Sequence, residues 1–180
     1  MSRMTVHAFV DESIRSGLYL VGMAIVEPAQ LTPTRRELSK LLLPGARELH
    51  FNREKAPRRR KLADRIGRAT GLDQVYSASC VPKTQEGARQ RCLRQVAADL
   101  VDVGAHRLVL DSREHRDADD KRTLRQALGA RPSKTELTYE HLASTAEPLL
   151  WIADAVAWCH GAGGEYRRRV ARIIAEVVCL

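Results

Sequence analysis

The sequence predicts a single mixed α/β domain, and three observations support that prediction. Short apolar runs of β-prone residues alternate along the chain with longer segments of helical periodicity, which is typical of a sheet flanked by helices. The chain has 180 residues, and 44% of them are apolar, which is enough for one well-formed core. It contains no internal repeat and no low-complexity linker, so we expect one domain that spans residues 1–180.

The first two elements are predicted to form an antiparallel hairpin. An apolar run ends at Asp11, and a second one covers residues 18–26 after a short connection closed by Gly17. Because side chains alternate along a strand, the first strand has two distinct faces. One face carries Val6, Ala8 and Val10, and the other carries His7, Phe9 and Asp11.

The remaining elements follow from apolar spacing and from Gly and Pro stop signals. Helices are predicted over residues 31–43, 54–69, 84–103, 117–128 and 148–159. Strands are predicted over residues 74–81, 106–111 and 137–142, and we expect the last of these to be the final strand. An extended piece at 47–52 and a closing basic helix with Arg167, Arg168, Arg169 and Arg172 complete the prediction.

Three acids stand alone among apolar neighbours. Asp11 and Asp111 each end an apolar strand, and Asp154 interrupts the apolar helix. If the two strands are parallel neighbours, the two carboxylates lie one strand spacing apart, roughly 5 Å, at the edge where α/β sheets bind ligands. Burying an unpaired carboxylate is costly, so we expect the three acids to converge on one site. A buried cap or an ion pair to an arginine is the alternative for Asp154.

Four other polar residues near these acids are candidates for supporting roles. Glu48 is the natural fourth acid, although a surface glutamate in a loop gives the same signal. Glu12 points away from Asp11 in a regular strand, so a supporting or structural role is expected. Ser13 could cap the strand end. His50 could orient a water or contact a phosphate, and an ordinary loop histidine is an equal alternative.

The expected chemistry of this site is divalent-metal binding. Carboxylates so close together repel each other unless a cation or a proton lies between them, and Mg²⁺ or Mn²⁺ takes oxygen ligands of this kind. We therefore predict that the metal ligands and catalytic residues are Asp11, Glu48, Asp111 and Asp154. The 4 cysteines form no CxxC pair, which excludes a zinc ribbon, and no GxxxxGK[ST] loop is present, which counts against an NTPase.

The formal net charge of +8 favours a polyanionic partner, most simply nucleic acid. An arginine-rich composition of the kind that a GC-rich genome produces is the alternative. The candidate phosphate contacts are Arg58, Arg59, Arg60, Lys61, Arg167, Arg168 and Arg169, each of which could instead lie on a solvated helix face. The cysteine pattern, the lack of a secretory signal and the lack of a membrane-spanning run predict a cytoplasmic protein.

With its acids placed, the sequence resembles the ribonuclease H-like superfamily. It is more closely similar to a bacterial and phage family with an Asp-Glu-Ser signature, domain of unknown function 3800. The matching pieces are Phe9 to Ser13, Glu48 to His50, Leu110-Asp111 and Ser144 to Ala157, where Ala153 to Ala157 fits that family's ADxxA helix. The resemblance implies a ribonuclease H-like mixed sheet flanked by helices, and a metal site.

Two positions depart from the family pattern. Ile14 stands where a glycine usually follows Asp-Glu-Ser, and Trp151 stands where a glutamine is common. The leading hypothesis is a divalent-metal-dependent nuclease for RNA or DNA, because acids that hold two ions about 4 Å apart suit attack on a phosphodiester. The departures keep open the alternative, a non-catalytic nucleic-acid-binding or protein-interaction module with the same fold. A third hypothesis is a phosphohydrolase of a small nucleotide.

Overall fold

A six-stranded mixed sheet forms the centre of the computed structural model, which describes residues 6–69, 73–129 and 137–180. The strand order across the sheet is β5-β4-β1-β2-β3-β6. β1 is parallel to β4 and antiparallel to β2, so the sheet is mixed. The strands are β1 (His7–Arg15), β2 (Leu18–Val26), β3 (Asp73–Ser79), β4 (Arg107–Asp111), β5 (Thr138–Leu142) and β6 (Ile174–Cys179).

Helices cover both faces of this sheet. They are α1 (Pro28–Ser39), α2 (Ala56–Ile66), α3 (Gln85–Val103), α4 (Asp117–Gly129), α5 (Leu150–Ala162) and α6 (Gly164–Val170). Phe9, Leu20 and Val109 pack on one face under α5, α2 and α6, and Ala8 and Val10 pack on the other under α3 and α4. The mixed sheet flanked by helices is the fold class that the sequence predicted. Among the described residues, no helix has the length and apolar character needed to cross a lipid bilayer.

The hairpin of β1 and β2 extends past the end of its neighbour β4. Ser16 and Gly17 connect the two strands with φ angles of 48° and 75°, which is the two-residue turn that matches strand twist. β1 pairs with β4 only from His7 to Val10, whereas its pairing with β2 continues to Arg15. The last residues of β1 therefore form a wall beyond the edge of the sheet.

Helix α5 lies directly on β1 and β2. Gly22, the cross-strand partner of Asp11, sits under the α5 backbone. A Cβ atom at Gly22 would overlap the carbonyl oxygen of Ala153 and come within 3.2 Å of the backbone nitrogen of Ala157. The absence of a side chain at Gly22 thus allows the close approach that places Asp154 beside Asp11.

A buried ionic network joins the hairpin to α3 and α4 on the opposite face. Arg89, only 3% exposed, donates to both carboxylate oxygens of Asp120 at 2.8 and 2.6 Å and pairs with Glu12. Tyr19 donates its hydroxyl to Glu12, and His141 lies 3.1 Å from Asp120. Burial alone would raise the pKa of Asp120, but hydrogen bonds from Arg89 and His141 hold that pKa well below its usual range.

The structure corrects the prediction for the carboxyl end of the chain. Residues 137–142 were expected to form the final strand, and a basic helix containing Arg172 was expected to close the chain. Instead, α6 ends at Val170, and β6 adds a further strand parallel to β3. Helix α1 also differs, since it begins at Pro28, where proline is favoured at the start of a helix, and ends at Ser39.

We predict that Gly22→Ala lowers the free energy of unfolding by about 1–3 kcal/mol, because the added methyl group must push α5 away from the sheet. Urea denaturation measures the change. The matched control is Gly87→Ala, since Gly87 is exposed in α3 and a Cβ there meets open space. The control should be unchanged or more stable by up to about 1 kcal/mol. Equal stability of Gly22→Ala and the wild type would contradict the close packing of α5.

We predict that Arg89→Met lowers the free energy of unfolding at pH 7 by about 3–5 kcal/mol, because it removes the cation that binds both oxygens of buried Asp120. The folded-state pKa of Asp120 is depressed, so the stability it contributes is present above the unfolded pKa of about 4 and is lost as the pH falls below it.

The difference between wild type and Arg89→Met should therefore shrink below about pH 4. Arg91→Met is the control, because Arg91 is exposed on the same helix and donates to the Ser79 carbonyl. This control should lower the free energy of unfolding by about 0.5 kcal/mol. Urea melts from pH 3 to 8, roughly the range in which carboxylates titrate, provide the measurement. A difference independent of pH would mean that packing, not the ion pair, explains the loss.

Candidate active site

The three isolated acids of the sequence line one cavity. Asp11, Asp111 and Asp154 surround a space of about 590 Å³ at the carboxyl ends of β1 and β4. The parallel register pairs Val10 with Leu110, so the next residues, Asp11 and Asp111, follow side by side. Asp154 reaches the same space from α5 above the sheet. The structure brings these three acids together, and their role as metal ligands remains a prediction.

Asp154 is almost completely buried, with 6% of the residue exposed. Its Oδ2 atom accepts a hydrogen bond of 2.7 Å from the backbone N–H of Phe51, and His50 Nδ1 lies 3.7 Å from the same oxygen. Among the described residues, no arginine or lysine forms an ion pair with Asp154. An ion pair between an arginine and this acid is thus not observed in the described part of the chain, and one oxygen caps a backbone amide.

Ser144 connects two of the predicted site residues. Its hydroxyl donates to Glu48, and its backbone N–H donates to the carboxylate of Asp111. Its own carbonyl accepts a 2.8 Å hydrogen bond from the indole N–H of Trp151. In the sequence, Ser144 stands out only as part of a family motif, which indicates no role for it. The structure makes it the residue that fixes Glu48 next to Asp111.

The carboxylates of the cavity resist ionisation. Burial raises the pKa of Asp11 well above its usual range, and the nearby Asp154 and Asp111 raise it further. Burial also raises the pKa of Asp111 to about 6, with added repulsion from Asp154 and Glu48. Burial raises the pKa of Asp154 as well. The cavity therefore favours either protons or a bound cation between its acids.

Asp11 and Glu12, although adjacent in sequence, belong to different environments. Asp11 faces the cavity under α5, whereas Glu12 faces α3 and joins the Arg89 network described above. Glu12 also lies 3.4 Å from Arg113. Part of Glu12 also lines the cavity, and its supporting or structural role stays a prediction. Ser13 returns to the cavity face and lines the cavity wall.

A second group of possible metal ligands lies on the opposite face of the sheet. Ligand atoms of Asp117, Asp120 and His141 lie within 4.8 Å of one another. However, Arg89 already binds both oxygens of Asp120, and a metal ion there would have to displace or repel that guanidinium. We therefore describe this group as part of the ionic network. Sequence reasoning left His141 unassigned and did not single out Arg89, although an arginine within the apolar stripe of α3 was a visible signal.

The structure does not place the predicted phosphate contacts in the cavity. None of the seven basic residues lines it, and most of them bind groups of their own chain. Arg60 and Arg169 both pair with Glu165, and Arg169 also pairs with Asp64. The others are Arg58, paired with Glu54; Arg59, bound to the Glu54 carbonyl; Arg167, bound to the His160 carbonyl; and Lys61 and Arg168, which are exposed.

Comparisons with known proteins add information about the fold. No protein-family model and no curated protein matches the chain, so the finer resemblance to the Asp-Glu-Ser family remains a prediction. A chain in the structure of the PCNA:RNase HII complex from Archaeoglobus fulgidus is similar to it, with a TM-score of 0.54 and 16% sequence identity. The match covers 94% of this chain and 76% of that chain. At this identity the likeness concerns the fold alone, and the chain has a ribonuclease H-like fold.

Proposed function

We propose that this protein is a divalent-metal-dependent nuclease that hydrolyses phosphodiester bonds of RNA or DNA. One observation carries the proposal: Asp11, Asp111 and Asp154 line the same cavity, and no arginine or lysine of the described residues forms an ion pair with any of them. The similarity to a chain of the PCNA:RNase HII complex supports the proposal, because that complex contains a ribonuclease.

The chemistry of the donor set fits a hard divalent cation. The three aspartates supply carboxylate oxygens, and no cysteine lines the cavity. Glu48 lies near Asp111 but outside the cavity lining, and it also lies 3.5 Å from Arg53, so it would join the donor set only by turning toward the ion. Burial and the repulsion of neighbouring acids raise the pKa values of Asp11 and Asp111, and a bound cation would relieve that repulsion. When bound there, Mg²⁺ or Mn²⁺ would lower the pKa of a water nucleophile and stabilise the charge that develops on the phosphate.

The other residues of the site orient these acids. The Phe51 N–H holds one oxygen of Asp154, and Ser144 holds Glu48 and Asp111 in fixed positions. Trp151, which departs from the family pattern, fixes Ser144 through its indole N–H. This departure is therefore compatible with an active site. Removal of a group that orients a metal ligand in this way commonly lowers metal affinity by about 10- to 100-fold.

We predict that Asp154→Asn reduces cleavage by more than about 100-fold, because it removes a ligand and not merely a group that orients one. The assay uses labelled single- and double-stranded RNA and DNA and an RNA–DNA hybrid, in Mg²⁺, Mn²⁺ and EDTA. Asp99→Asn is the matched control, since Asp99 lies on α3, on the opposite face, and accepts hydrogen bonds from Tyr76 and Gln95. The control should cleave like the wild type.

Two results would argue against this function. Binding of nucleic acid in every condition, without cleavage, would support the non-catalytic module with the same fold. Cleavage in EDTA, or equal cleavage by Asp154→Asn, would show that the acid site is not the reaction centre.

We also predict that Asp11→Asn raises the free energy of unfolding of the metal-free protein by about 1 kcal/mol, because it removes one of three mutually repelling carboxylates. Mn²⁺ should raise the melting temperature of the wild type by a clear margin and that of the variant by much less. Differential scanning calorimetry with and without EDTA makes both measurements. A variant that unfolds in metal-free buffer would instead mark Asp11 as a structural residue.

A further inference from the structure

The acid cavity has one basic wall, formed by Arg15. Residues Asp11, Ser13 and Arg15 alternate along β1, so all three lie on the face that α5 covers. Each of them lines the cavity. The hairpin overhang beyond β4 places Arg15 at the end of this wall, farther from the acids than Ser13. One strand therefore supplies both an acid and a cation to the same space.

The Arg15 side chain is held in place by packing. Its guanidinium carbon lies 4.3 Å from the centre of the Trp158 ring, a distance typical of a cation–π contact. Its stem runs over Gly161, where a Cβ atom would come within 3.3 Å of Arg15 Cδ. Trp158 is itself fixed, because its indole N–H donates to Asn52 and its ring packs against Phe51. Little conformational freedom is left for a ligand to remove.

The guanidinium of Arg15 has no acidic partner among the described residues. This distinguishes it from Arg58, Arg60 and Arg169, whose charges are matched by neighbouring carboxylates. Asn52 also lines the cavity, and its amide NH₂ group remains a donor while its oxygen accepts from Trp158. An ordered guanidinium without an anion, with further polar donors around it, is suited to bidentate binding of a phosphate.

The distance between Arg15 and the acids determines which phosphate of a bound nucleic acid Arg15 contacts. Arg15 lies four positions after Asp11 in the strand, which corresponds to about 13 Å between their Cα atoms. Even with a long side chain, Arg15 does not share the position at which the acids converge. A phosphate bound by Arg15 is therefore different from the one placed at the acids.

We propose that Arg15, assisted by Asn52, binds a non-scissile backbone phosphate of the nucleic acid and so sets the position of the strand over the acids. The inference rests on the proposed nuclease function and identifies a positioning residue for it. Phosphate contacts of this kind fix register and orientation without reading sequence.

The test measures binding separately from cleavage. Asp154→Asn in Mg²⁺ serves as the background, and fluorescence anisotropy follows labelled single-stranded DNA and RNA of about 12 nucleotides over a range of salt concentrations. Adding Arg15→Gln should weaken binding about 10-fold and reduce the slope of log K against log salt by about 0.7–1. Arg94→Gln, an exposed arginine on α3, is the control and should bind like the background.

A second arm identifies the contact as a phosphate. Oligonucleotides that carry one neutral methylphosphonate are compared position by position. In the Asp154→Asn background, a methylphosphonate at one particular linkage should weaken binding. The same methylphosphonate should weaken binding no further once Arg15→Gln is also present. Arg15→Lys keeps the charge and the stem, so it should retain the salt slope but lose affinity with the bidentate contact. Melting temperatures check that each variant folds. If Arg15→Gln does not fold, the comparison of Arg15→Lys with the background serves as the test.

The outcomes separate this inference from the function on which it rests. Binding by Arg15→Gln within about twofold of the background, with an unchanged salt slope, would overturn the role of Arg15. A wild-type protein that binds through Arg15 but cleaves none of the substrates would overturn the nuclease function and leave the phosphate site supported. Loss of binding at one methylphosphonate, dependent on Arg15, supports the site in either case.

Discussion

Helix α5 has no polar face, and its burial determines the rest of the site. Every residue from Leu150 to Cys159 is buried, including Asp154. A helix that is apolar all round must be covered on every side, here by the sheet below it and by α2 and α6. The close backbone contact at Gly22 sets how near α5 lies to the sheet. A carboxylate on such a helix has no route to bulk water except through the cavity, so the fold itself forces Asp154 to meet Asp11 and Asp111.

Strand alternation divides the neighbouring acids of β1 between two kinds of environment. Asp11 enters the cavity, where it has no ion-pair partner among the described residues, and burial raises its pKa. Glu12 enters the network of Arg89, Arg113 and Tyr19, where its charge is matched. The second environment ties the hairpin to α3 and α4, which keeps the carboxyl end of β1 ordered. Stability on one face of the sheet thus supports an electrostatically unfavourable arrangement on the other, as is common at functional sites.

Local patterns in the sequence predicted the sheet, its flanking helices and the meeting of Asp11 with Asp111, because each depends on periodicity or on strands ending at the same edge. The features that were missed depend on distant partners. β6 pairs with β3 from the far end of the chain, and the arginine partners Glu165 and Asp120 come from other helices. β6 has six residues, and only Ile174, Val177 and Val178 among them are β-branched, which gave a weak signal beside a run of arginines. Spacing alone does not show which arginine already has an anion.

The same limit explains why net charge was a poor guide to the binding surface. Seven basic residues were selected because they cluster in sequence, yet three of them, Arg58, Arg60 and Arg169, already pair with acids of the same chain, namely Glu54, Asp64 and Glu165. Arg15 stands alone in sequence and was not selected. It differs by position: β1 carries it past the sheet edge, Trp158 orients it, and no acid of the described residues pairs with it. What distinguishes a cation for a ligand is an unmatched charge in an ordered place, and both properties arise from tertiary contacts.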